Sequence, residues 1–296
     1  MSVELTGVIN IMATPFDPEG QIDEASLRRL VDFQIEKGAA GLNVLGIMGE
    51  FHKLLDDERR RVVEIVIDQA AGRVPVIVGC THSGTYATIQ LALHAQRAGA
   101  AAVMVAPPNN LKNLDAVYEH YRAVAAALDV PVVVQDEPTF TGVTMPPAFL
   151  ARVCNEIPGC DYIKLEESPT PEKISRLTGL LQRPVGIFGG LGGVFFLEEL
   201  NRGAIGTMTG FSYTEILVDI EKKFKRGDRA GARETFYRYV PLLRFEFQPV
   251  VGLALRKYVL YRRGAIAHPH LRQPGPSVSD ALKEELEHLL AHCGLS

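Results

Sequence analysis

Short apolar runs alternate with longer amphipathic segments along the first 210 residues of the chain. The runs are rich in Val, Ile and Gly, and several are apolar on both faces, which is typical of buried parallel strands. The segments between them show helical spacing; in the first of these, Asp23 or Ser26 is a candidate N-cap and Gly38 a candidate stop. The pattern predicts eight strands, within residues 7–16, 41–46, 74–80, 101–108, 130–138, 161–166, 185–190 and 203–210.

Eight consecutive strand–helix units favour a closed (β/α)8 barrel. The alternative is an open doubly wound sheet, but the glycines that begin at Gly189 lack the GxGxxG spacing of a dinucleotide site. After Gly210 the strand pattern stops and helical segments follow. We therefore predict an α/β TIM barrel at residues 1–211 and a C-terminal helical subdomain at residues 212–296, packed on the barrel, with the tail's Arg and Lys residues forming a solvated face.

Charge and composition narrow the class of partner. A formal net charge of -4 and the lack of a long basic run argue against a nucleic-acid or membrane surface. The four cysteines form no CxxC pair, and the N-terminus shows no signal-peptide pattern. His268 and His270 lack carboxylate companions at ligand spacing. We predict a cytoplasmic protein with a small-molecule partner, no metal and no cofactor.

Lys164 interrupts the sixth predicted strand, between the apolar residues Ile163 and Leu165. Because an uncompensated buried ammonium is costly, this lysine is either paired with a carboxylate or placed to react. Strand alternation puts Tyr162, Lys164 and Glu166 on one face, which we expect to point into the barrel. Barrel enzymes carry their active sites at the carboxyl ends of the strands, so the sequence predicts a lysine inside the catalytic end.

Two interpretations of Lys164 follow from its position. As a structural cation, it pairs with a buried carboxylate such as Glu166 or Asp136. As a nucleophile, it uses the uncharged amine that loss of solvation favours, attacks a carbonyl carbon and forms a Schiff base. The second interpretation is the chemistry of class I aldolases, and the position at the barrel mouth favours it.

Five stretches of sequence carry a family resemblance. They are ATPF from Ala13, GLNVLGIMGEFHKL from Gly41, VPVIVGCTHSGT from Val74, GAAAVMVAPP from Gly99 and DYIKLEES from Asp161. Over its whole length the chain resembles the dihydrodipicolinate synthase and N-acetylneuraminate lyase family. The resemblance implies a (β/α)8 barrel, a homo-oligomer that is commonly a tetramer, pyruvate or another 2-oxo acid as substrate, and Lys164 as the Schiff-base nucleophile.

The resemblance also implies where the substrate binds. The family's GTTGE or GSTGE segment holds the 2-oxo acid carboxylate through backbone N–H groups and hydroxyls. Here the segment reads GIMGE, so backbone donors remain while Ile47 and Met48 replace the hydroxyl pair. The glycines after strand seven either let substrate approach the backbone or cradle a phosphate. The implied substrate-binding residues are Gly46, Ile47, Met48, Gly49, Glu50, Asp136, Gly189 and Gly190.

The segment after strand five departs from the family pattern. Where the family has YNxPxRTG, this chain has QDEPTFTG, so Gln135 stands in the position of the proton-relaying tyrosine and Phe140 in that of the synthase's arginine. Together with strand six, this segment is similar to the family's 2-keto-3-deoxy sugar acid dehydratases. A dehydratase needs a base at C3 and an acid at C4. The predicted catalytic residues are Lys164, Glu166 and Gln135, with Glu167 and Asp136 as further carboxylates.

Three functions remain open at this point. The first is a Schiff-base lyase that cleaves or dehydrates hydroxylated 2-oxo acids, the second is dihydrodipicolinate synthase, and the third is a barrel that only binds an acidic metabolite. Lys164 argues against the third, and the missing tyrosine and arginine argue against the second. His82 is a weaker candidate for a proton shuttle, since a lone loop histidine is more often structural.

Overall fold

Eight parallel strands close into a barrel in which each strand pairs with its neighbour in sequence and the last pairs with the first. This computed structural model describes residues 4–295, so residues 1–3 and 296 of the two predicted domains lie outside the described part. All eight predicted strands are present, each shorter than its apolar run. They are β1 Gly7–Ile11, β2 Gly41–Val44, β3 Val76–Gly79, β4 Ala102–Val105, β5 Val132–Asp136, β6 Tyr162–Leu165, β7 Gly186–Gly189 and β8 Gly206–Thr209.

Helices follow the strands and form the outer layer and the tail. The first begins at its predicted cap, because the side chain of Asp23 accepts a hydrogen bond from the N–H of Ser26, and Gly38 follows its end with a φ of 83°. The helices are α1 Glu24–Glu36, α2 Asp56–Ala70, α3 Thr85–Ala98, α4 Leu114–Ala126, α5 Pro138–Thr141, α6 Pro147–Glu156, α7 Thr170–Thr178, α8 Phe196–Asn201, α9 Thr214–Lys225, α10 Arg229–Glu246, α11 Gly252–Arg262 and α12 Asp280–Cys293. Over residues 4–295, none of them is both long enough and apolar enough to cross a membrane.

Two packed layers lie on opposite faces of the strands. The barrel interior is filled by side chains that include Ile9, Ile77, Met104, Val133 and Phe188. The alternate residues of the strands pack against the surrounding helices in a larger outer core. This division is the strand alternation expected of a covered parallel barrel, and it decides which polar residues can reach the interior.

The helical tail has an apolar core of its own, which also includes parts of the barrel. Val8 of β1 belongs to the same cluster of buried apolar side chains as Leu217 of α9 and Leu255 of α11, so tail and barrel share a core. Nδ2 of Asn10 donates to Oγ1 of Thr214 at 2.9 Å, which ties β1 to the start of α9. The C-terminal helical part is thus packed on the barrel, while the boundary between residues 211 and 212 stays a prediction.

Candidate active site

Lys164 lies on the inward face of β6, near the carboxyl end of the strand. Its neighbours Ile163 and Leu165 belong to the outer core, so alternation turns the lysine into the barrel. Only 5% of Lys164 is exposed, and its Nζ lies 2.9 Å from Oε2 of Glu166. The structure thus brings together the two residues that the sequence predicts as nucleophile and base.

Neighbours on two strands fix the carboxylate of Glu166. Nε2 of Gln135 donates to its Oε2 at 2.8 Å, and Gln135 is the register partner of Lys164 across β5 and β6. A Cβ added to Gly190 would lie 2.4 Å from Cγ of Glu166, so a side chain there would displace the glutamate. One carboxylate oxygen therefore accepts a hydrogen bond from an amide and also faces the amine, as a positioned base should.

Glu137 is a carboxylate at the same end of the barrel that the sequence interpretation missed. It follows β5 and is 8% exposed. Burial raises the pKa of Glu137, the negative charge of Glu166 raises it further, and the N–H of Phe140 and the charge of Lys164 oppose the rise. A carboxyl group with a raised pKa can hold a proton and donate it. Alternation would have found this residue, because it has the same parity in the strand as Gln135.

Asp136, between those two residues, is directed to the opposite face of β5. Its Oδ2 accepts a hydrogen bond from Nζ of Lys173 in α7 at 2.6 Å, and the same ammonium pairs with Glu167. Burial raises the pKa of Asp136 to about 6, although the charge of Lys173 opposes the rise. This placement argues against the prediction that Asp136 binds substrate and against Glu167 as the base, since both carboxylates are engaged by a helix lysine.

The 46–50 turn follows the carboxyl end of β2. The N–H of Gly49 donates to the carbonyl of Gly46 at 2.9 Å, and that of Glu50 to the carbonyl of Ile47 at 3.0 Å. These bonds close a short 3-10 turn. They do not involve the N–H groups of Ile47 and Met48, because the first N–H groups of any helical segment have no acceptor within that segment. The turn can therefore offer backbone donors to an anion, while its side chains add no hydroxyl.

Glu50 is buried by contacts with the tail. Its Oε1 lies 2.6 Å from Nζ of Lys257 in α11, and its Oε2 accepts from Nζ of Lys53 at 2.9 Å and from the N–H of Arg272 at 3.1 Å. Both oxygens are thus occupied, which argues against the prediction that Glu50 contacts substrate. Its side chain instead fastens the 46–50 turn to the tail.

Breaking this buried pair is expected to be costly. Glu50 and Lys257 are both 0% exposed, so Lys257→Met leaves a carboxylate buried with only its remaining donors. We expect the free energy of unfolding to fall by about 3–5 kcal/mol, measured by denaturant titration. Adding Glu50→Gln to that variant should restore part of the loss, and a double variant no more stable than Lys257→Met alone would contradict the pairing.

Gly189 and Gly190 differ in what they face. A Cβ added to Gly189 would lie 1.7 Å from Oε2 of Glu199 in α8, so this glycine makes room for a buried carboxyl on the helix side. Oγ1 of Thr170 donates to Oε1 of Glu199 at 2.6 Å, and burial raises the pKa of Glu199 to about 8. The position of Gly189 argues against its predicted contact with substrate, whereas Gly190 lies against Glu166.

Phe140 lies at the barrel mouth, in the position where the resemblance expects an arginine. It is 41% exposed, and its ring centroid lies 5.8 Å from that of Phe51 and 6.0 Å from that of His52. These three residues, which we call the aromatic rim, border the mouth after β2 and β5. Phe140 therefore presents a ring where the arginine's cation is expected, and the guanidinium of Arg59 lies 5.4 Å from the centroid of the Phe51 ring.

The remaining histidine candidates have local roles. Nδ1 of His82 accepts a hydrogen bond from the N–H of Gly84 at 3.1 Å, which fits the structural alternative. The rings of His268 and His270 stack with centroids 5.6 Å apart. In the part of the chain described by the structure, no group of three or more His, Cys, Asp or Glu residues is arranged to hold a metal ion.

Known proteins with the same architecture give the chain its family. The model of the Dihydrodipicolinate synthetase family matches residues 4–293. L-2-keto-3-deoxyarabonate dehydratase of Azospirillum brasilense is 31% identical over 95% of this chain and 92% of its own. 4-hydroxy-tetrahydrodipicolinate synthase of Brucella suis biovar 1 is 33% identical over 98% of this chain and 99% of its own length. The solved dihydrodipicolinate synthase of Rhodopseudomonas palustris superposes with a TM-score of 0.92, is 39% identical and covers 97% of each chain. Since these matches span nearly the whole barrel and tail, the chain is a lyase that belongs to the dihydrodipicolinate synthetase family.

Proposed function

We propose that Lys164 forms a Schiff base with pyruvate or with a hydroxylated 2-oxo acid. The observation that carries this proposal is the buried contact of 2.9 Å between Nζ of Lys164 and Oε2 of Glu166, on the inward face of β6. A carboxylate at this distance can take the ammonium proton and leave the amine free to attack a carbonyl carbon. The N–H groups of the 46–50 turn then hold the substrate's carboxylate.

Dehydration of a 2-keto-3-deoxy sugar acid is the reaction that this set of groups serves best. Lys164 adds to the C2 carbonyl, Glu166 returns the ammonium proton to the departing water, and an iminium results. Glu166, again a carboxylate, removes a proton from C3, and the electron pair of the broken C–H bond forms an enamine. The C4–oxygen bond then breaks as Glu137 donates a proton to the departing hydroxide, and water hydrolyses the unsaturated iminium to free Lys164, while the proton on Glu166 passes through water to Glu137. The net change is the loss of one water molecule.

Two carboxylates with different environments support this division of roles. Oε2 of Glu166 accepts a hydrogen bond from Nε2 of Gln135 and lies 2.9 Å from Nζ of Lys164, the geometry that the role of base requires. Burial and the charge of Glu166 raise the pKa of Glu137, which favours its protonated form as an acid. Gln135 positions the base, in the place where the resemblance expects a tyrosine. One relative is named as a dehydratase of this kind and another as a synthase, so the substrate must be decided by assay.

Product analysis decides between the possible reactions. Purified protein should convert one or more 2-keto-3-deoxy sugar acids to dehydrated 2-oxo products without releasing pyruvate. Mass spectrometry follows the loss of one water, and a coupled lactate dehydrogenase assay follows pyruvate. Stoichiometric release of pyruvate and an aldehyde would instead show that the reaction is aldol cleavage through the same Schiff base, and not dehydration.

We expect poor activity as a dihydrodipicolinate synthase. The aldehyde substrate of that reaction carries a carboxylate and an amine, and it would meet Phe140 where the synthase has an arginine. Loss of a charged contact of this kind costs about 2–5 kcal/mol, or about thirtyfold to several thousandfold in rate. The assay is condensation of pyruvate with aspartate semialdehyde, with Phe140→Arg as a companion variant that should raise the rate. Efficient condensation by the unmodified protein would contradict this expectation.

We further propose a homotetramer located in the cytoplasm. The family resemblance supports the tetramer. The four cysteines are buried free thiols, which suits a reducing compartment. Light scattering at micromolar concentration tests the assembly, and a monomer mass would argue against it.

A further inference from the structure

Arg256 is a buried cation that the proposed reaction leaves without a role. It lies in α11 and is 7% exposed. Its Nη1 donates a hydrogen bond to Sδ of Met48 in the 46–50 turn at 3.1 Å, and a Cβ added to Gly192 would lie 2.8 Å from its Nη2. The tail helix therefore places a guanidinium between the loops that follow β2 and β7. The expectation that tail cations form a solvated face is wrong for this residue.

The guanidinium has poor partners for a charge so deeply buried. A thioether sulfur is a weak acceptor, and Nε and Nη2 have no hydrogen-bond partner among residues 4–295. Oε2 of Glu246 is 3.9 Å from Nε, beyond hydrogen-bond distance, and instead accepts from the N–H of Ser212 at 3.0 Å. Buried donors are normally satisfied because unpaired ones are costly. Arg256 therefore has the capacity for a further anionic acceptor.

The position of Arg256 beside Met48 indicates which anion it accepts. The 46–50 turn offers backbone N–H groups but has Ile47 and Met48 where the resemblance expects hydroxyls, so the turn alone binds a carboxylate weakly. A guanidinium binds carboxylate oxygens through parallel hydrogen bonds. The unbranched side chain of Met48 can rotate away and yield its position to an oxygen.

We propose that Arg256 binds the C1 carboxylate of the 2-oxo acid substrate, together with the backbone N–H groups of the 46–50 turn. This inference rests on the proposed Schiff-base function, because it assumes that the substrate's C2 carbonyl reaches Lys164. It assigns to the helical tail a direct part in substrate recognition. A structural arginine that only joins α11 to α10 through Glu246 is the alternative.

Pyruvate and its uncharged methyl ester separate the two roles. Both carry the same ketone, and only pyruvate carries the carboxylate. The measured quantity is the concentration of each compound that gives half-maximal borohydride trapping on the intact protein. Arg256→Met should raise this concentration for pyruvate by about 10- to 100-fold, the equivalent of one charged hydrogen bond or two, and leave that for the ester nearly unchanged. Arg256→Lys keeps the charge but not the paired geometry. Its half-maximal concentration for pyruvate should lie between those of the unmodified protein and Arg256→Met.

Arg263 provides a matched control in the same part of the tail. Its guanidinium is satisfied by the carbonyl of Ser212 and the carboxylate of Glu215, so Arg263→Met should lower stability without changing the ratio of the two half-maximal concentrations. If Arg256→Met does not fold, the ratio for Arg256→Lys decides, and a ratio equal to that of the unmodified protein overturns the proposal.

The possible failures are distinguishable. If the unmodified protein is trapped by neither compound, the Schiff-base function itself is wrong, and the role of Arg256 falls with it. If the unmodified protein is trapped and Arg256→Met weakens pyruvate and ester equally, Lys164 keeps its function and Arg256 is a structural cation. Only selective weakening for pyruvate supports carboxylate binding.

Discussion

Borohydride added to the protein with pyruvate is expected to leave one covalent addition per chain, on the peptide that contains Lys164. The adduct forms because the buried amine of Lys164, 5% exposed, lies beside Glu166, which takes its proton before the nitrogen attacks the ketone. Reduction converts the iminium to a stable secondary amine, so peptide mass spectrometry locates it. Lys164→Ala should abolish both the adduct and turnover, to the limit of detection, because no other group supplies the electron sink.

Lys173 is the matched control for this experiment. It is also a buried lysine paired with carboxylates, and its Nζ lies 2.6 Å from Oδ2 of Asp136. Lys173→Met should lower stability but keep the adduct on Lys164 in the protein that remains folded. If the unmodified protein resists trapping by every 2-oxo acid, and Lys164→Ala is destabilised by about 3–5 kcal/mol, then Lys164 is a structural counter-ion of Glu166.

The parts predicted from sequence are those encoded by local periodicity. The eight apolar runs and the parity of Lys164 in its strand require only that successive side chains point to opposite faces. The same parity distinguishes Asp136 from Glu137. The family pattern led to a predicted substrate contact for Asp136, whose side chain the structure places against Lys173 of α7. Where local alternation and a family motif disagreed, alternation described the side chains correctly.

The contacts that escaped prediction join distant parts of the chain. Glu50 pairs with Lys257, and Met48 contacts Arg256, across more than 200 residues in each case. The periodicity of one segment does not predict a partner in the other. A tail helix with many polar residues is normally predicted to face solvent. Both tail residues are buried, at 0% and 7% exposure. The tail's part in shaping the 46–50 turn therefore required the packed structure.

Replacement of Glu166 by Gln should separate Schiff-base formation from proton removal. The amide has nearly the same shape as the carboxylate but cannot accept a proton at neutral pH, so Glu166→Gln should lower the dehydration rate about 10²- to 10⁴-fold. Trapping by borohydride should be slower, because the variant lacks the carboxylate that takes the ammonium proton, but should still reach one addition per chain, because Lys164 remains in place. In deuterated water, the unmodified protein should exchange the methyl protons of pyruvate through the enamine, and the variant should lose this exchange.

Glu137→Gln is the comparison that assigns the two carboxylates. If Glu137 donates the proton to the departing C4 hydroxyl, its amide variant should lose dehydration while it continues to exchange the methyl protons of pyruvate, since that exchange breaks no C4–oxygen bond. If Glu166→Gln exchanges the methyl protons as fast as the unmodified protein does, Glu166 is only a counter-ion of Lys164 and another group is the base. Loss of exchange in both variants would mean that Glu137 acts on Glu166, through the charge coupling that raises its own pKa, rather than on the leaving group.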